Sequence, residues 1–265
     1  MLRRVLISLA LLATLVLGGR ILLAASDMPA VVTAAHFEGL KSDLPRLRAF
    51  LQRMPKGADL HMHLSGAVYA ERFIAWAVAD GLCLRKADMT LLPRLEGAPA
   101  ATPCGADPTV VPLAEAVAGA RGQSIYDLLV NALSTRWFVA TPAVPSGHDQ
   151  FFGTFGKFNA ATGGADWTAT LDRLADMTVD QLRQYDADNV QYAEMMVTLF
   201  EGDDRRWMAK FIAAAAEPDG VLKTDPATLL AALEAHGLAD MVAARVKQLA
   251  ALKARIKALL ACHEA

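Results

Sequence analysis

The chain has 265 residues, of which 54% are hydrophobic and 20% charged, and its formal net charge is −2. That is ample apolar material for a packed core, so disorder is not the default reading of this composition. It also lacks the basic excess of a nucleic-acid-binding surface.

The first 25 residues stand apart. Arg3 and Arg4 precede an apolar run, Val5 to Leu17, and Leu22-Leu23-Ala24-Ala25 offers small residues for cleavage. This layout predicts a secretory signal peptide over 1–25, and hence an exported chain in the periplasm or outside the cell. The apolar run is shorter than the roughly 20 residues of a membrane-spanning helix, so no stable membrane span is expected. An uncleaved N-terminal anchor is the alternative. Cleavage would remove Arg3, Arg4 and Arg20 and no acidic residue, taking the net charge from −2 to −5.

A helical segment is predicted over 26–53, as one amphipathic helix from His36 to Gln52 broken at Pro45. After the Pro55-Lys56-Gly57 turn, Ala58 to His63 reads as a strand. Ala70 to Asp80 has helical spacing and stops at Gly81. From Leu82 to about Val111 prolines interrupt any period, and residues 82–147 read as an insertion of loops and helices. Cys83 and Cys104, 21 apart within it, form the expected disulfide of an exported chain, with free thiols as the alternative. Cys262 is then an odd cysteine, and one explanation is a partner beyond residue 265.

Helices are predicted over Ser124 to Trp137, Gln150 to Ala160 and Asp166 to Tyr185, and a second strand over Val190 to Leu199. Asp225-Pro226 opens another helix that Gly237 closes, and Leu238 to Leu260 forms the last. The last is expected to pack on a sheet that this chain does not contain. Strands alternating with helices predict an α/β fold, the pattern of parallel sheets and barrels.

Within the first strand His61 and His63 alternate with Met62, so both imidazoles face one side. Two imidazoles at the C-terminal end of a barrel strand suit zinc, with exposed or hydrogen-bonded histidines as the other reading. The run Met54-Pro55-Lys56-Gly57-Ala58-Asp59-Leu60-His61-Met62-His63-Leu64-Ser65-Gly66-Ala67 resembles the first strand of the adenosine deaminase family, within the amidohydrolase superfamily. It looks most like the exported branch of adenosine deaminase-related growth factors. The Phe-rich run Phe151-Phe152-x-x-Phe155-x-x-Phe158 and the Tyr192-x-Glu194 pair resemble further parts of that family.

The resemblance implies the N-terminal part of a (β/α)8 barrel, about two β/α units over 54–265, incomplete and carrying the insertion. It implies zinc held by His61 and His63, with Ser65, Gly66 and Phe155 near a purine nucleoside substrate. Ser65 stands where the family commonly has an aspartate that meets the ribose. The implied reaction is hydrolytic deamination of adenosine or 2′-deoxyadenosine to the inosine product. A third ligand histidine, a His-Ala-Gly-Glu run and a late Asp-Asp pair are absent, so the catalytic residues are expected beyond residue 265 and this chain is expected to be inactive alone. The resemblance leaves room for a homodimer of the full-length protein. Two other readings compete: another hydrolase of the superfamily acting on a different nucleoside or an amide, and a non-catalytic exported binding module. The cytidine-type zinc deaminases are excluded, because Pro103-Cys104 is followed by Gly-Ala-Asp and not by a second cysteine in register.

Overall fold

The computed structural model describes residues 28–163, 166–197, 209–213, 215–216 and 225–261. The segment 1–25 read as a signal peptide, the last two residues of the second predicted strand (Thr198 and Leu199), Cys262 and His263 lie outside them. The chain divides into two compact units, one of Met1–Gly57 with Asp188–Gln191, the other of Ala58–Ala187 with Tyr192–Ala265.

In the first unit, helix α1 covers residues 28–40 and α2 covers Leu44–Arg53. The break falls at 41–43, not at Pro45. Asp43 caps α2 by accepting the N–H of Arg46 at 3.2 Å, and Pro45 lies in the first turn, where its missing N–H has no helical partner to lose. Phe37 and Phe50 pack their rings 5.7 Å apart across the two helices. Asn189, in a left-handed conformation at φ 58°, donates from its side chain to the carbonyl of Gln52 and accepts the N–H of Lys56 on its own carbonyl.

The second unit is mixed α/β. Strand β1, Gly57–His63, is followed without a loop by the single turn α3, Leu64–Ala67, and then by α4, Ala70–Ala79. Gly81, at φ 67°, reverses the chain after α4, which only a residue without Cβ does at little cost. The stretch read as irregular forms a three-stranded antiparallel sheet of β2 (Cys83–Arg85), β3 (Thr90–Leu92) and β4 (Val110–Pro112), in the order β3-β2-β4. Strands of three residues carry no periodicity of their own. Their partners and one covalent bond make them strands: Cys83 pairs across to Leu92 and Pro112, and its Sγ is bonded to that of Cys104.

The helices α5 (Leu113–Ala116), α6 (Gly119–Ala132), α7 (Gly147–Phe158) and α8 (Trp167–Ala187) lead to β5, Val190–Met196, which pairs with β1 in a two-stranded sheet. α9 (Pro226–Ala235) and α10 (Leu238–Leu259) follow. Asp225 caps α9 through the N–H of Thr228, and Gly237 stands between the two helices at φ 88°.

The core gathers Phe73, Ile74 and Ala77 of α4, Leu129 of α6, Phe158 of α7 and Met177 of α8, all buried. Within the described residues α10 lies along α8, with Leu252 buried and Arg255 paired to Asp172 of α8 at 2.9 Å. An amphipathic helix shows in its sequence that it has a covered face but not what covers it. The described residues hold no closed barrel, and no single helix among them is long and apolar enough to cross a membrane.

Candidate functional site

β1 sets the site. Met62 is 6% exposed and packs into the core, whereas His61 and His63 both lie exposed on the other side, as alternation on a pleated strand requires. Their Nε2 atoms stand 3.2 Å apart, with the rings 5.1 Å between centroids and steeply inclined to each other. Two nitrogens on one tetrahedral zinc, each about 2.0–2.1 Å from it, stand about 3.3–3.4 Å apart. The pair therefore has the bite of two ligands of one ion. The same separation suits an N–H···N bond between a donating and an accepting imidazole.

No third histidine, cysteine, aspartate or glutamate joins them to make a metal-holding group among the described residues. The other described histidines are engaged elsewhere. His36 meets the Phe50 ring edge-on, His148 lies beside Asp149 and Phe152, and His236 bonds through Nδ1 to the carbonyl of Ala232.

Asp59 is a residue that sequence reasoning missed. One carboxylate oxygen accepts the backbone N–H of His61 at 3.2 Å, and the other accepts the phenolic O–H of Tyr185 on α8 at 2.7 Å. Donation by Tyr185, then by the His61 N–H, holds the Asp59 carboxyl below its ordinary range. Burial, reinforced by the bond to Asp59, pushes the Tyr185 hydroxyl up to about 12. A signal was present: an aspartate inside an apolar strand run is a residue that strands disfavour and that needs a partner.

Beyond His63, Ser65 and Gly66 lie half-buried in α3. Gly66 and Phe155 come together. A Cβ on Gly66 would stand 3.2 Å from Cζ of Phe151 and 3.4 Å from Cζ of Phe155. The Phe-rich helix divides its rings between roles. Phe158 is core, stacked on Phe73 at 4.4 Å, Phe152 is exposed, and Phe151 and Phe155 meet edge to face at 5.2 Å over the Ser65-Gly66 turn. A cavity of about 290 Å³ opens beside them, lined by Gly66, Tyr69, Arg136, Phe151, Thr154 and Phe158 among others, but by neither histidine. Arg136 on its wall is paired to Glu71, so its charge is compensated. The Tyr192 hydroxyl donates to Glu194 at 3.1 Å on exposed positions of β5.

The close approach at Gly66 makes a measurable prediction. Gly66→Ala changes stability by less than about 1 kcal/mol, because the gain in helix propensity offsets a shift of a few tenths of an ångström in two ring tips. Gly66→Leu drives a branched side chain into both rings and costs about 1–3 kcal/mol in a urea titration. Equal midpoints for the two variants would show that the aromatic helix does not rest on this turn.

No protein-family model, no curated protein and no solved structure matches this chain.

Proposed function

We propose that this chain carries part of a zinc-dependent hydrolytic deaminase of purine nucleosides, with His61 and His63 as two of the metal ligands on the first strand of a (β/α)8-type barrel. The observation that carries the reading is the 3.2 Å separation of the two Nε2 atoms on the exposed face at the end of β1, immediately before the half-buried Ser65-Gly66 turn. Zinc, when bound, supplies a Lewis acid that makes water a nucleophile at neutral pH. The chain's own residues do the rest of the work available here. The two imidazoles present lone pairs at one point, the Ser65 hydroxyl can hydrogen-bond a sugar hydroxyl, and Phe151 and Phe155 supply ring faces and edges over the Ser65-Gly66 turn for a flat base. A hydroxyl at position 65, in place of a carboxylate, widens the range of sugars or amides that fit.

Zinc titration of the purified chain tests this. Zinc binds to the wild type, and both His61→Ala and His63→Ala lose it in equilibrium dialysis with metal analysis. Zinc binding unchanged in either variant would overturn the assignment of ligands. A catalytic zinc takes three protein ligands, and the described residues bring two together, so adenosine turnover is expected to stay at the level of a His61→Ala control. Metal-dependent turnover well above that control would show that further donors complete the site.

A further inference from the structure

We propose that Asp59 and Tyr185 are positioning residues for the histidine pair: the carboxylate ties the backbone of His61 to helix α8, so that its imidazole meets that of His63 at one point. The inference rests on the reading of His61 and His63 as metal ligands and goes beyond it, to residues that touch neither metal nor substrate.

Three observations carry it. The two oxygens of Asp59 are divided between different elements, one on the N–H of His61 within β1 and one on the hydroxyl of Tyr185, 126 residues further along the chain. Tyr185 is itself anchored, since its ring packs half-buried against the core. Finally, the peptide that Asp59 holds is that of His61 itself. A strand N–H bonded to water leaves its residue free to rock about φ. The same N–H bonded to a side chain braced on a core helix does not. In an exposed two-residue chelate, rocking of one backbone unit carries the ring nitrogen off the shared point, so the brace acts where precision is needed. An apolar residue at position 59 would serve the sheet as well and could do none of this.

The experiment is a Zn²⁺ titration of the whole chain against a chromophoric chelator, with thermal midpoints measured in parallel. Tyr185→Phe removes one hydroxyl and keeps the ring, and it weakens Zn²⁺ binding about tenfold, the low end for loss of a group that orients a ligand. Asp59→Ala weakens it at least as much. Asp59→Asn, which keeps an oxygen to accept the His61 N–H, restores part of the loss, as a brace requires and a general loss of packing does not. Arg255→Ala, which breaks the exposed pair to Asp172 elsewhere on α8, leaves the affinity unchanged.

Equal affinity for wild type and Tyr185→Phe overturns the positioning role and leaves the histidine pair standing as ligands. Affinity that falls in step with thermal midpoint in all variants, Arg255→Ala included, also overturns it. A wild type that binds no more Zn²⁺ than His61→Ala overturns both readings together.

Discussion

Phe73→Ala is expected to cost about 3–5 kcal/mol, the range for deleting a fully buried aromatic ring from a packed core. Phe73 is 0% exposed, its ring is stacked on that of Phe158 at 4.4 Å, and Trp76 stands edge-on at 6.0 Å. The stack ties α4, which follows the histidine strand, to α7, which carries Phe151 and Phe155. Removing the ring therefore leaves a void between α4 and the end of α7, and Phe158, only 4% exposed, has no other aromatic face of comparable overlap to move to. Urea unfolding followed by circular dichroism gives the value. Phe73→Leu, which retains most of the volume, should lose clearly less. A cost below about 1 kcal/mol for Phe73→Ala would mean that the two helices close the gap by themselves, and that α4 and α7 are not held at a fixed spacing.

The second large effect is that of the disulfide. Reducing Cys83–Cys104, or replacing both by serine, is expected to cost about 3 kcal/mol, the chain-entropy value for a loop of this length. The closed loop contains 21 residue steps, and the three strands of its sheet are three residues each, too short to be stable without a tie. Cys83 is fully buried in the central strand, so serine there adds a hydroxyl without a partner to the entropic loss. The measurement is the urea midpoint with and without dithiothreitol, set beside the double serine variant. The expected pattern is a large drop on reduction with β1 and its histidines unaffected, read as unchanged zinc binding below the transition. An unchanged midpoint would show that the small sheet persists without its covalent tie. A loss of zinc binding on reduction would show that the small sheet supports the histidine strand directly.

Local rules made much of this molecule legible. The two-residue period of β1 put Met62 inside and the histidines outside. Asp225 with Pro226 marked the start of α9, and Gly81 marked the end of α4. Each of these follows from interactions within a few residues: alternation on a pleat, a side chain reaching its own helix terminus, a backbone torsion that only glycine adopts freely. Two local signals compete near residue 45, and the more obvious one misleads. Proline reads as a helix breaker, but Asp43, two residues earlier, makes the cap and leaves Pro45 in the first turn.

The amino-acid sequence by itself determined the α/β class, the course of the main helices and the shared face of His61 and His63, because these depend on period and on near neighbours. The tertiary structure alone decided the rest. The three strands between Cys83 and Pro112 exist only through their pairing, α10 took α8 as its partner, Gly66 came under two phenyl rings, and Asp59 found Tyr185. The physical reason is the same in each case. A hydrogen bond or a packed face joining residues far apart along the chain leaves no mark on local periodicity, and only the folded chain shows which of many equivalent partners was taken.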